Sequence, residues 1–207
     1  MQFIQGNLDF LNSLDASYQD EILTTKGELR DKYLSTININ RGPYLNTEYL
    51  AFYMDSDLNE IQSTQIREAI NYGFDRVKMM RYLRNNIGEP ALKGFIPKGL
   101  PSYDSLADYG YSYQPEKARH LLIEAGFPQG KGLEEISLQT NASYLDLCEY
   151  LQSELSKIGI SIKVEVSPPS TLRQAMANGK ADFFRGSWIA DYPDAETYLP
   201  LFYGPNA

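Results

Sequence analysis

Cysteine and histidine are almost missing from this sequence, with Cys148 and His120 as the single representatives of each. One cysteine excludes a disulfide within the chain, and a zinc site built from Cys and His has too few ligands available. Cys148 recurs at helical spacing with Leu151 and Leu155, which predicts a small buried core residue. His120 follows Arg119 in a predicted helix, and we expect it at the surface.

Positive charge is also scarce, because 19 Lys and Arg face 27 Asp and Glu and leave a formal net charge of −8. Nucleic-acid-binding domains usually carry a basic patch, and the longest basic cluster, 78–84, is interrupted by apolar and aromatic residues. We therefore expect no nucleic-acid partner. No apolar run approaches the roughly 18 residues of a membrane span. The residues that follow Met1 lack the charged and apolar regions of a signal peptide.

Hydrophobic residues make up 43% of the chain, enough for a core, and their spacing alternates between strand and helix patterns. The strand patterns are at 35–40, 49–54, 133–140, 160–166 and 181–188. The helix patterns are at 16–23, where Asp15 is the expected cap, and at 64–73, 76–83, 115–125, 144–158 and 171–178. This alternation predicts an α/β fold with a mixed, largely parallel sheet flanked by helices.

The segment 185–194 contains the most informative chemistry. The predicted strand ends at Trp188, and Asp191 follows in a proline-containing loop. Ligands bind at strand ends of this kind in α/β sheets. Trp188 offers a flat apolar surface, Asp191 an anion, and Arg185 a fork for a carboxylate. From chemistry alone, a strand end with a core tryptophan and a capping aspartate is an equal alternative.

Four segments, in order and at compatible spacing, carry a resemblance to a known family. They are 67–76, 88–99, 113–127 and 186–194. Together they resemble the extracellular solute-binding proteins of the oligopeptide, dipeptide and nickel importers (family 5). Gln114 stands where that family usually has Asp before a proline, which weakens a helix cap. The apolar spacing of 67–76 favours an architectural role for that segment.

The resemblance implies one lobe of a two-lobe, type II periplasmic-binding-protein-like fold. Residues 1–207 then form a single lobe, the second large one, with 1–54 as entry strands and hinge-proximal segment and 55–207 as the lobe body. We expect the first lobe, with its signal peptide or lipoprotein cysteine, to precede residue 1, and further sequence to follow residue 207. The whole protein is then periplasmic or extracytoplasmic, with the option of a lipid anchor.

The resemblance also implies a ligand and partners. Short peptides or similar small solutes bind between the lobes and pass to the transmembrane subunits of an ABC permease. Asp191 takes the α-ammonium group, and Arg185 helps to neutralise the carboxylate end for some peptide lengths. The expected ligand-binding set is Asp191, Trp188, Arg185, Ile189, Tyr192 and Asn141. No cofactor, metal or catalytic residue is expected.

Two alternatives remain open. Relatives of the same family bind other solutes, so a nickel chelate, haem, an opine or an oligosaccharide is the second hypothesis. A hydrolase that uses Asp191, Asp194 and Glu196 is the third, since paired carboxylates perform acid–base chemistry. The sequence has no nucleophile–base pair and no phosphate-binding loop, which disfavours an enzyme.

Overall fold

A computed structural model of the chain describes residues 2–12, 14 and 16–206. The helices are α1 (Ala16–Ile22), α2 (Asn59–Gln62), α3 (Thr64–Tyr72), α4 (Arg76–Leu83), α5 (Pro115–Glu124), α6 (Leu145–Ser156) and α7 (Pro169–Ala177). The strands are β1 (Asn46–Phe52), β2 (Ile136–Thr140), β3 (Ile162–Val166) and β4 (Phe183–Ile189). None of the helices within these described ranges combines the length and apolar character that crossing a bilayer requires.

The chain forms two compact units, and the predicted division of the lobe near residue 54 stays a prediction. The smaller unit holds the residues up to Arg41 together with Val77–Pro90, and the larger holds Gly42–Arg76 together with the chain from Ala91 onward. A small apolar core, with Leu23 and Tyr33 at its centre, organises residues before 42 in the smaller unit. The assignment of residues 1–207 to one lobe stays a prediction.

The larger unit contains a four-stranded sheet in the order β1-β4-β2-β3. Strands β4, β2 and β3 run parallel, and β1 pairs antiparallel with β4 at one side. The core beside the sheet includes the fully buried side chains Leu138, Phe183 and Leu155. The predicted α/β class, with a mixed and largely parallel sheet flanked by helices, is confirmed.

Local signals in the sequence explain where several elements begin and end. Ser63 caps α3, because its hydroxyl accepts a hydrogen bond from the backbone N–H of Ile66. Pro115 occupies the first turn of α5, and Gly126 follows that helix at a φ of +90°, a conformation that glycine adopts without strain. Cys148 is fully buried in α6, as predicted. Asp15, the predicted cap of α1, lies outside the described residues.

The strand predicted at 35–40 is wrong. The backbone N–H groups of Thr36 and Ile37 both donate to the carbonyl of Tyr33, at 3.0 and 2.9 Å, which forms a turn. Residues 37–40 have no regular secondary structure. Alternating apolar residues form a strand only where a neighbouring strand completes the ladder, and in the described chain none pairs here.

Candidate functional site

Strand β4 carries the predicted site residues on two opposite faces. Its antiparallel register with β1 pairs Trp188 with Thr47 and Arg185 with Leu50. Successive side chains of a strand point to opposite faces, so positions three apart do not share a face. Trp188 and Arg185 therefore lie on different sides of the sheet, and each has its own surroundings.

On one face, Trp188, Asp191 and Thr197 form a hydrogen-bonded group that we call the Asp191 cluster. The Thr197 hydroxyl accepts hydrogen bonds from the Trp188 indole N–H at 3.3 Å and from the Asp191 backbone N–H at 3.2 Å. The same hydroxyl donates to Asp191 Oδ2 at 3.4 Å. Thr197 is only 3% exposed, whereas Asp191 lies at the surface. The cluster thus connects a buried hydroxyl to an exposed carboxylate.

The Asp191 carboxylate keeps one oxygen open. Its Oδ2 atom is held by Thr197, while Oδ1 makes no hydrogen bond to any residue that the structure describes. The side chains of Ile189 and Tyr192 are exposed, and Ile189 lies on the face of β4 that carries Arg185, since the two are four positions apart. An open anionic oxygen at the surface is an arrangement that fits a small cationic group.

Aromatic packing supports the face of the sheet on which Trp188 lies. The Tyr49 ring covers Gly186, and a Cβ atom at position 186 would come within 2.6 Å of that ring. Phe95 packs against both Tyr49 and Tyr198, at centroid distances of 5.3 and 6.0 Å. The Tyr198 hydroxyl, whose pKa is raised by burial, donates to the carbonyl of Leu45 at 2.5 Å. The residue after Thr197 is therefore anchored to the start of β1.

On the opposite face, Glu48, Arg185 and Tyr144 form a second group, the Arg185 cluster. An ion pair joins Arg185 Nη2 to Glu48 Oε2, and the guanidinium carbon lies 3.1 Å from the centroid of the Tyr144 ring. The Tyr144 hydroxyl donates to Glu48 Oε1 at 3.2 Å, and burial raises the pKa of Tyr144 while the charge of Arg185 opposes that rise. The Arg185 side chain is only 10% exposed.

This arrangement bears on the predicted role of Arg185 as a carboxylate fork. The guanidinium already has an internal carboxylate partner and an aromatic face against it. A ligand carboxylate would have to compete with Glu48, which is itself 38% exposed. The role of Arg185 in ligand binding stays a prediction.

Asn141 lies at the carboxyl end of β2, which is the same edge of the parallel strands. Its Oδ1 atom accepts a hydrogen bond from the backbone N–H of Ser143 at 3.0 Å. A shallow pocket of about 350 Å³ opens beside it, lined by residues 141–143 and 166–169. Asn141 thus forms part of a concave surface at the edge where ligands bind in α/β sheets, separate in its lining from both clusters.

Three residues of these clusters, Glu48, Tyr144 and Thr197, were not predicted as site residues from the sequence. Glu48 precedes an apolar run, and only the antiparallel register of β1 places it against Arg185. Thr197 follows Asp191 by six residues, a spacing at which a turn can bring the chain back to Asp191. This spacing was the signal in the sequence that pointed to Thr197. The acidic set proposed for a hydrolase includes Asp194, whose carboxylate accepts the backbone N–H of Glu196 at 2.8 Å and so caps a turn.

The model for bacterial extracellular solute-binding proteins, family 5 Middle, matches residues 1–207. The chain belongs to this family. The resemblance of the four sequence segments is therefore confirmed, and the family is one of solute-binding proteins found outside the cytoplasm.

Curated relatives and a solved structure agree with this membership. Heme-binding protein A of Haemophilus influenzae is 26% identical over 167 residues, 78% of this chain and 30% of that protein. The probable D,D-dipeptide-binding periplasmic protein DdpA of Escherichia coli K12 is 22% identical over 204 residues, 98% of this chain and 37% of that protein.

The solved structure is that of DppA from Helicobacter pylori, an ABC transporter-associated periplasmic binding protein in complex with the peptide STSA. It matches with a TM-score of 0.79 at 19% identity, over 96% of this chain and 36% of that one. This likeness shows that the fold is that of a periplasmic binding protein. The chain spans about a third of the length of these three proteins.

Proposed function

We propose that the chain is a ligand-binding lobe of an ABC-importer substrate-binding protein and that Asp191 takes the α-ammonium group of a short peptide. The observation that carries the proposal is the exposed Asp191 carboxylate, with one oxygen held by Thr197 and the other open at the carboxyl edge of the sheet. An ammonium group would form charge-assisted hydrogen bonds to the open oxygen. The exposed part of Tyr192 would contact the apolar parts of the peptide.

Family membership supports the wider proposal. A peptide captured between this lobe and a second one would be released to the transmembrane subunits of a permease after a hinge motion. The protein would act in the periplasm or another extracytoplasmic space. The names of the D,D-dipeptide-binding relative and of the peptide-bound DppA structure favour a peptide as the solute.

The test uses the complete gene product, because the proposed cleft needs both lobes. Asp191→Asn removes the charge and keeps the shape, and we expect its affinity for trialanine, measured by calorimetry, to fall by roughly 30-fold or more. Asp194→Asn is the matched control, since Asn keeps the turn cap and the affinity should change by less than about twofold. Unchanged binding by Asp191→Asn would refute the role of Asp191.

The two-lobe proposal has its own measurement. The 207-residue chain should bind trialanine at least about tenfold more weakly than the complete gene product, because it presents one wall of the cleft. Equal affinity of the two proteins would contradict a cleft shared with a second lobe.

One observation favours a second candidate, a non-peptide solute that does not depend on Arg185 to bind a terminal carboxylate. Arg185 is occupied by Glu48, and one of the relatives is a heme-binding protein. Native mass spectrometry of the complete gene product as purified would identify a retained ligand by its mass. A retained haem or metal chelate would replace the peptide proposal, whereas a retained peptide would support it.

We also propose that the chain has no catalytic role. The use of Asp194 as a turn cap supports this, because a capping carboxylate is held away from acid–base chemistry at a bond. Prolonged incubation with trialanine, followed by mass spectrometry, should return intact peptide. Cleavage at a rate that depends on Asp191 would overturn the proposal.

A further inference from the structure

The Thr197 hydroxyl is the most highly connected buried polar group near Asp191. Thr197 ends a 3-10 turn at Ala195–Thr197, and its side chain is almost fully buried. The turn is fixed at both ends: Asp194 caps its start, and Tyr198 is anchored to the carbonyl of Leu45. The hydroxyl therefore occupies a defined place beneath the surface on which Asp191 lies.

The three contacts of this hydroxyl use its full hydrogen-bonding capacity. A threonine hydroxyl has one donor and two acceptor sites. It accepts from Trp188 Nε1 and from the Asp191 backbone N–H, and it donates to the Asp191 carboxylate. No capacity is left for a ligand, so Thr197 can influence binding only through the two residues that it holds.

We propose that Thr197 is the positioning residue of the ligand site, which fixes the Asp191 carboxylate and the Trp188 indole as one unit. By holding Oδ2, it leaves Oδ1 as the oxygen that meets a ligand cation. By accepting the indole N–H, it sets the orientation of the Trp188 ring. The part that concerns ligand affinity rests on the proposed function, and the part that concerns geometry does not.

The contacts are 3.2–3.4 Å long, at the outer end of the hydrogen-bonding range, so each one is modest in strength. Losing an ordinary hydrogen bond costs about a factor of 2 to 12 in an equilibrium constant. We therefore expect Thr197→Val, which keeps the shape and removes the hydroxyl, to weaken binding of trialanine by about tenfold. Thr197→Ser keeps the hydroxyl and should bind like the parent protein.

A space-filling role for Thr197 would give a different result. Loss of packing alone would weaken trialanine and N-acetyl-trialanine by the same factor. If Thr197 positions Asp191, then Thr197→Val should affect mainly the peptide with the free ammonium and leave N-acetyl-trialanine within about twofold. Equal losses for both peptides in the complete gene product would overturn the inference.

A second measurement needs no ligand. Trp188 is the single tryptophan of the 207-residue chain, so its indole N–H gives one identifiable nitrogen–proton NMR signal. We expect this signal to move in Thr197→Val and to stay in place in Thr197→Ser. An unmoved signal in Thr197→Val would refute the contact that the proposal needs.

These measurements separate failure of the inference from failure of the proposed function. If the parent protein binds neither peptide, the peptide proposal falls, and the indole signal alone decides the role of Thr197. If Thr197→Val does not fold, hydrogen exchange of the indole in the parent chain decides it. Exchange slowed relative to free indole supports the hydrogen bond to the buried hydroxyl, and exchange as fast as in free indole refutes it.

Discussion

Arg185 and Asp191 are six residues apart and were both predicted to meet a charged end of a ligand, yet their surroundings are opposite. Arg185 is nearly buried, with Glu48 paired to its guanidinium and the Tyr144 ring against it. Asp191 is exposed and held at one oxygen by Thr197. The comparison teaches that the fold neutralises one charged residue of a motif with an internal partner and leaves part of the charge of another, six positions away, unpaired.

The largest effect in this comparison is expected when the charges of the Arg185 cluster are removed one at a time. Glu48→Gln leaves a buried guanidinium without its anion, so we expect the free energy of unfolding to fall by about 2 kcal/mol. Arg185→Met leaves a half-exposed carboxylate that water can solvate, and should cost about 1 kcal/mol. Urea unfolding of the 207-residue chain measures both.

Asp191→Asn is the matched control on the other face of β4. It should change the free energy of unfolding by less than about 0.5 kcal/mol, because an exposed carboxylate gains little from the fold. If Arg185→Met lowers the free energy of unfolding more than Glu48→Gln does, the buried guanidinium does not need its ion-pair partner more than the exposed carboxylate does.

A smaller effect is expected for the carboxyl end of the peptide. Because Glu48 already occupies Arg185, trialanine amide should bind the complete gene product within about threefold of trialanine itself, by calorimetry. Glu48→Gln should then favour the free carboxylate over the amide. A loss of about tenfold or more on amidation of the peptide, in the parent protein, would mean that Arg185 leaves Glu48 when ligand binds.

The smallest effect concerns the Tyr144 hydroxyl. Tyr144→Phe keeps the ring against Arg185 and removes the hydrogen bond to Glu48, so the free energy of unfolding should fall by about 0.5 kcal/mol. Burial holds the pKa of Tyr144 above its usual value, and the unfolded chain therefore loses this proton first as pH rises. The stability that this group contributes is present below about pH 10 and is lost as pH rises through the folded-state pKa.

The measurement for Tyr144 is a series of urea midpoints between about pH 8 and pH 11. Tyr144→Phe should lose stability less steeply than the parent chain at the alkaline end. Parallel curves would contradict the assignment of a raised pKa to this tyrosine.

Periodicity predicted most of the larger unit, because its strands and helices alternate at regular lengths. β4 and α6 were predicted within a few residues of their bounds, and α6 has a buried stripe at helical spacing. The strand at 35–40 failed for a physical reason. Its pattern was correct, but a strand depends on hydrogen bonds from a neighbour, and a pattern within one segment does not show whether that neighbour exists.

The candidate site was predicted in part for a related reason. Trp188 and Asp191 were found because they are close together in the sequence and follow a strand. Glu48 and Thr197 were missed because one reaches its partner across β1 and β4 and the other through a turn. Contacts that arise from strand pairing or from a turn between distant residues are hard to recognise in a single sequence.

The anchoring of Tyr198 to Leu45 has a consequence for the order of folding. These two residues are 153 positions apart in the chain, and the turn with Thr197 is held in place by their contact. A contact between such distant positions requires closure of a long loop, which costs conformational entropy before the contact stabilises the chain. Such contacts therefore tend to form late. We expect backbone structure to appear before the Trp188 environment during refolding. Competence to bind would then be among the last properties that the molecule acquires.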